Sequence, residues 1–203
     1  MNEPKLRPVL KIYKESALFW AQERDKARFS EESIMTRVLG RLRAGDELLD
    51  LGCGSGYPIA DFFLKNGINV TGVDGAAAMI SIAQERFPEG RWLVADMRTL
   101  ALGQKFQAVI AWDSFFHLTH AEQESMFPIF RKHLEPGGAL VFTSGNEKGE
   151  AIGDMNGNPL FHASFSPAEY RALLEANGME AMEFLSSEAS GVDRNVWLCR
   201  ARA

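Results

Sequence analysis

Residues 48–56 read Leu-Leu-Asp-Leu-Gly-Cys-Gly-Ser-Gly, and their order decides the fold. Leu48 to Leu51 have the apolar bulk of a buried strand, and the glycines after them take alternate positions, Gly52, Gly54 and Gly56. Pro58 then opens a helix near its first turn, where a missing N–H costs little. Glycine admits positive φ and lets another group touch the main chain, because no Cβ stands in the way. A strand feeding such a turn into a helix N-terminus is where open α/β sheets bind nucleotides. The dinucleotide fingerprint, Gly-x-Gly-x-x-Gly, would put its third glycine at position 57, which is Tyr57. Here it comes one residue early, behind the acidic Asp50. No Gly-Lys-Ser/Thr follows, so the stretch is not a P-loop.

Working outward, strands and helices alternate. Strands are expected at 47–51, 69–73, 91–95, 107–112 and 139–144, with helices at 57–66 and 76–87 and another starting at Thr119. Thr119 with Glu122 forms a capping box, and so does Ser166 with Glu169 around Pro167. Gly67, Pro88 and Pro136-Gly137-Gly138 punctuate the exits, and Gly178 ends the helix begun at Ser166. Before the first strand, helical spacing runs from Leu10 to about Phe29. Ser30, with Glu31 and Glu32, reads as the cap of a second helix ending near Arg43. Residues 1–8, with two prolines and three charges, read as frayed, and residues 145–165 as a polar, glycine-bearing excursion. The tail, 180–202, reads as two strands with a turn near Ser190-Gly191. Apolar strands alternating with helices imply a parallel sheet covered on both faces.

The Gly-x-Gly-x-Gly turn behind Asp50 resembles the first motif of class I S-adenosylmethionine-dependent methyltransferases, and two closing strands match that family's sheet. The resemblance covers about residues 45–203. It implies a Rossmann-like, doubly wound, seven-stranded α/β sheet, mostly parallel, with an antiparallel last strand inserted beside the sixth. Residues 1–203 then form one domain, with N-terminal helices (1–44) as a lid over the cofactor cleft of a 45–203 core.

The resemblance also assigns roles. Asp74, before Gly75, stands about 20 residues beyond the glycines, where a carboxylate accepts from the ribose hydroxyls. A helix-capping role could coexist. Asp96 would accept from the adenine amine while the Met97 amide donates to the ring. Met79 is either an adenine wall or ordinary helix core. Asp50 would orient the glycine turn or face the ammonium of the cofactor, and the Cys53 backbone would meet its methionine end. Trp112 would wall the cofactor, and Asp113 would place a carboxylate near the sulfonium. On the first helix, Tyr13, Trp20 and Arg24 could close over the cofactor, the guanidinium holding its carboxylate; Trp20 suits core packing equally well.

Methyl transfer needs a base only if the nucleophile must lose a proton, and His117, with an ordinary pKa of about 6.5, is the candidate. A loop-packing or helix-capping role is its alternative. Asn158, Phe161 and His162 mark a second acceptor-facing surface. The Asn/Asp-Pro-Pro-Tyr/Phe signature of amino-methylating DNA and protein enzymes is absent, which favours a small-molecule acceptor. Neither His-Glu-x-x-His nor any other metal signature is present. Aminopropyl transfer and NAD-dependent dehydrogenation find no supporting residues. A non-catalytic S-adenosylmethionine-binding regulator or partner subunit is the alternative to an enzyme.

Bulk composition agrees. The chain has 203 residues, 46% hydrophobic and 24% charged, with net charge −5, which suits one ordinary globular domain. The clustered Arg37, Arg41 and Arg43 read as a solvated helix face, so nucleic acid is disfavoured as a partner. Two cysteines, an N-terminus without an apolar leader and no run of 18 apolar residues point to the cytoplasm and away from a membrane.

Overall fold

A computed structural model of the chain describes residues 9–203; the reading of 1–8 lies outside them. Helices α1 (Val9–Lys26) and α2 (Glu32–Leu39) lead into β1 (Glu47–Leu51), α3 (Ile59–Lys65), β2 (Asn69–Asp74), α4 (Ala77–Arg86) and β3 (Arg91–Val94). Then come β4 (Phe106–Ala111), α5 (His120–His133), β5 (Leu134–Ser144), β6 (Gly149–Met155) and β7 (Asn158–Ser164). The chain closes with α6 (Pro167–Ala176), β8 (Met179–Leu185), the short α7 (Ser187–Ser190) and β9 (Asn195–Ala201). Two 3₁₀ turns, Met97–Thr99 and Phe115–His117, follow β3 and β4.

Seven strands form one sheet in the order β3-β2-β1-β4-β5-β9-β8. The first five strands pair in parallel, while β9 runs antiparallel between β5 and β8. Consecutive strand residues face opposite ways, so each strand feeds two cores. Leu48, Ile110 and Val141 pack with α2 and α3 residues such as Met35 and Phe63. Leu49, Val109 and Leu140 pack with Phe127 and Phe130 of α5 and Tyr170 of α6. The strand order reverses between β1 and β4, and a crevice opens at the carboxyl ends of the strands there.

Several expected boundaries move. The first helix stops at Lys26 and the second at Leu39, short of Phe29 and Arg43. Glu31, not Ser30, holds the cap position of α2; the Ser30 hydroxyl donates to the Glu31 carboxylate at 3.0 Å instead. Pro58 sits at the cap of α3 rather than inside its first turn. Pro136-Gly137-Gly138 lies within β5, where Gly137 has φ +78° and the pairing with β4 slips register. The excursion 145–165 is a two-stranded hairpin, β6 against β7, with Met155 opposite Asn158. Its turn is Asn156-Gly157, both at positive φ (50° and 77°), the residue pair that a tight hairpin turn favours. Both expected capping boxes form.

The hairpin is tied to the sheet through one buried amide. Gln123 of α5 donates to the Leu118 carbonyl at 2.9 Å and the Ala163 carbonyl at 2.8 Å, and accepts from the Tyr170 hydroxyl at 2.7 Å. Tyr170→Phe strips the donor from a buried oxygen, so it should cost about 2 kcal/mol. Urea unfolding should give a lower midpoint with an unchanged m-value.

Candidate functional site

A cavity of about 300 Å³ fills the crevice, walled by the ends of β1 to β4 and by α1. Side chains from other elements have to come very close to the glycine turn. Gly52 has φ +76°, and a Cβ there would lie 2.2 Å from the Ser114 Cβ. The Ser114 hydroxyl donates to the Leu51 carbonyl at 2.6 Å, which locks the end of β1 to the turn after β4. Gly54 has φ +55°, and a Cβ there would come within 3.1 Å of the Trp20 ring of α1. A Cβ on Gly75 would meet Leu10 of the same helix at 2.5 Å. These contacts seat α1 along the glycine turn.

Asp74 accepts from the Gly54 and Ala76 amides at 3.0 and 2.8 Å. It therefore joins the glycine turn to Ala76, the residue before α4, whose first turn has no side-chain cap, and it also lines the cavity. Asp50 is only 4% exposed yet lines the same cavity. Among the described residues no hydrogen bond reaches its carboxylate. Burial, with Asp74 nearby, pushes its carboxyl up to about 7. Cys53 is buried between the glycines, and burial raises its thiol well above the ordinary range, which leaves little thiolate.

The turn after β3 carries a pairing that the sequence reading missed. Arg98 donates its amide to Asp96 at 2.9 Å and its guanidinium to the same carboxylate at 2.6 Å, while its other end reaches Glu122 of α5. These bonds hold the Asp96 carboxyl below its usual range. Met97 lines the cavity beside it. Met79 is buried in a small cluster with Ala17 and Ala76 and also lines the cavity. Trp20 is partly buried against that cluster and also lines the cavity.

Beyond β4, Trp112 is 5% exposed and packs among the α2 and α3 side chains as well as lining the cavity. Its indole N–H has no acceptor among the described residues. Asp113 stands in the left-handed region at φ +48°. Arg194, from the loop before β9, donates to its carboxylate at 2.6 Å, and the Thr143 hydroxyl does so at 3.2 Å. Arg194 gave no local signal, because it meets Asp113 only through the antiparallel pairing of β9 with β5. Burial raises the Asp113 carboxyl, against the opposing pull of Arg194, Thr143 and Arg24. Arg24 lines the cavity and pairs with Glu31.

His117 ends the 3₁₀ turn after Asp113 and bonds at both ring nitrogens. Nδ1 lies 3.0 Å from the Phe161 carbonyl and Nε2 lies 3.0 Å from the Tyr13 hydroxyl. Burial pulls its pKa down to about 4, far from the 6.5 that the base reading assumed. Every residue assigned a cofactor or catalytic role from the sequence, His117 and Asp113 included, lines this one cavity. Asn158, Phe161 and His162 do not line it; Phe161 and His162 stand behind His117 instead.

Residues 48–138 match a family model described as a methyltransferase domain. That stretch is similar to the methyltransferase domains that the family model describes. A curated relative, the dTDP-3-amino-3,4,6-trideoxy-alpha-D-glucopyranose N,N-dimethyltransferase of Streptomyces venezuelae, is 34% identical over 110 residues, covering 53% of this chain and 46% of that protein. The malonyl-[acyl-carrier protein] O-methyltransferase of Enterobacter lignolyticus is 28% identical over 137 residues, 67% of this chain and 53% of its own. This chain thus spans about half the length of the curated relatives it matches. Its fold is that of the S-adenosylmethionine-bound amino pentose methyltransferase of Micromonospora echinaspora. That match has a TM-score of 0.71 at 21% identity and covers 98% of this chain and 99% of that one.

Asp50, without a hydrogen-bond partner among the described residues, makes the stability of the fold sensitive to pH. Its folded pKa lies above its unfolded value, so the folded state holds the extra proton. Without ligand, stability should fall as pH rises from about 4 through about 7 and then level off. Asp50→Asn removes that loss: near pH 4 the variant should match the wild type, and at pH 8 it should melt about 5 °C higher. Calorimetric scans across this range check it; a variant that melts lower at pH 8 contradicts the assignment.

Proposed function

We propose that this chain is an S-adenosylmethionine-dependent methyltransferase acting on a small-molecule acceptor. Asp50 carries the reading, as a buried carboxylate facing a cavity with no protein donor among the described residues. Such a charge is costly unless a cation meets it, and S-adenosylmethionine offers an ammonium group at the end that would lie along the glycine turn. Asp74 takes one backbone bond on each oxygen and offers its remaining lone pairs to the ribose hydroxyls. Asp96 and the Met97 amide take the adenine edge, with Met79 as wall. Arg24 reaches the cofactor carboxylate from α1, and Trp20 closes over the turn, so that residues 9–44 cover a 45–203 core in one functional unit.

When bound, the cofactor supplies a methyl carbon made electrophilic by its sulfonium. The chain's own residues orient the acceptor and manage its proton, and alignment alone can supply about 7–11 kcal/mol. Asp113, held by Arg194 and Thr143, presents a fixed carboxylate edge beside Trp112. Tyr13 and His117 act as a pair: a proton taken at the Tyr13 oxygen is matched by the phenolic proton moving to His117 Nε2. With its pKa held down to about 4, His117 is a weak base, so the relay serves an acceptor that gives up its proton readily.

The curated relatives are named for acceptors as different as an amino sugar and a malonyl thioester, so they support the reaction class and leave the acceptor atom open. The net charge of −5 and the carboxylates in the cleft favour a small molecule over nucleic acid. No helix among the described residues is long and apolar enough to cross a membrane. Two buried free cysteines suit the cytoplasm.

Calorimetric titration should show binding of S-adenosylmethionine and S-adenosylhomocysteine. Asp74→Ala, which removes charge-assisted bonds, should weaken both by about tenfold or more. Transfer of a radiolabelled methyl group to an acceptor panel then separates an enzyme from a cofactor-binding regulator. No binding of either compound by the wild type would end the proposal.

A further inference from the structure

Three neighbours hold the His117 imidazole. The Phe161 carbonyl can only accept, so the 3.0 Å bond from Nδ1 puts the proton on that nitrogen and leaves the Nε2 lone pair for the Tyr13 hydroxyl. The third neighbour is His162 of β7. Its ring stacks on His117 with centroids 4.8 Å apart and planes at 30°, and Phe116 meets both rings edge-on. Space for this stack comes from the opposite strand. A Cβ on Gly153 of β6 would lie 2.6 Å from His162 Cε1 and 3.1 Å from its Nδ1. Gly153 is not among the positive-φ glycines, so alanine fits the backbone there and collides only with the ring.

We propose that His162, seated in the gap left by Gly153, is a positioning residue that fixes the orientation of His117 and so keeps its Nδ1–H on the Phe161 carbonyl, the bond that sets the tautomer. Through His117 it sets the Tyr13 bond that joins α1 to the acceptor side of the cleft. Its consequence for turnover rests on the methyltransferase reading; its hold on the ring does not. A charged imidazole on either member would face the other ring across the stack in a partly buried setting, so the pair favours two neutral rings. The other titratable groups nearby are committed elsewhere. Asp113 is paired with Arg194, Glu122 with Arg98, and His120 lies on the Ser164 carbonyl with Glu150 beside it. Tyr13 of α1 faces His117 as a neutral phenol, raised by burial and by the nearby Asp113 and Asp74.

Nitrogen-15 NMR of the imidazoles in the ligand-free full chain tests this without turnover. In the wild type, His117 should show the Nδ1–H tautomer and titrate near pH 4. His162→Ala and Gly153→Ala should each move the His117 titration at least one pH unit upward and mix its tautomers. His162→Phe keeps a ring in the gap and should restore the wild-type signature. Melting curves identify any variant that fails to fold, and Gly153→Ala leaves the His162 side chain present if the other does not survive. An unchanged His117 signature in a folded His162→Ala or Gly153→Ala protein overturns the proposal, as does the opposite tautomer in the wild type. If the signatures behave as expected while S-adenosylmethionine does not bind, the methyltransferase reading fails and the positioning role stands.

Discussion

Where a Cβ of Gly52 would stand, the Ser114 side chain already sits, and everything around the cleft is referenced to that contact. It joins the end of β1 to the turn after β4 at the point where strand order reverses. The turn after β4 is thereby held so tightly that Asp113 adopts φ +48° without being a glycine. Such a conformation persists only when its surroundings over-determine it, and here Thr143, Arg194 and Ser114 do so from three directions. The glycines of the turn thus answer first to the protein's own packing: Gly52 to Ser114, Gly54 to Trp20. A bound cofactor inherits a backbone already pressed into shape.

Electrostatics then divides the cleft. Arg98, Arg194 and Arg24 are each bound to a carboxylate, namely Asp96 with Glu122, Asp113, and Glu31. Asp50 and Asp74 have no cationic partner among the described residues. One is satisfied by backbone amides; the other is left to a proton or a ligand. The same desolvation that makes Asp50 costly in the empty fold would make its pairing with a cation strong. Stability of the free chain and affinity for a cationic ligand are thus set against each other at a single carboxyl group.

How much of this was legible in the sequence follows from which interactions are local. The strand at 47–51 was readable to the residue, because its apolar run is bounded by an acidic residue and a glycine turn. The two capping boxes were readable because each lies within four residues. Asp50, Asp74 and Asp96 line the cleft because each lies at or within two residues of the carboxyl end of a strand in a regular alternation. The β6–β7 hairpin was passed over, although Asn156-Gly157 carries its turn chemistry, because Glu150, Gly153 and Asp154 break the apolar pattern of its first strand. His117 was found, but its environment was not: Phe161 and His162 lie on that hairpin, and Tyr13 comes from α1. Arg194 was invisible for the same reason, since its partner is 81 residues away in sequence.

That division also explains what the relatives share. The region matching the methyltransferase domain, 48–138, contains the glycine turn, Asp74, Asp96 and the 3₁₀ turn with Asp113 and His117. The groups around Asp113 and His117 come from outside it: Tyr13 and Arg24 before, Thr143, Phe161, His162 and Arg194 after. Cofactor chemistry is the same for every acceptor, so the residues that serve it can be written in short local motifs. The relatives are named for acceptors as different as an amino sugar and a malonyl thioester, and in this chain the groups around Asp113 and His117 are mounted on a hairpin, the first helix and a late loop. Each of these segments can change without disturbing the β1–β4 junction. His117 is where the two parts meet, carried by the shared domain but oriented by a hairpin outside it. A change of hairpin could therefore retune that imidazole while Asp50, Asp74 and the glycine turn stayed as they are.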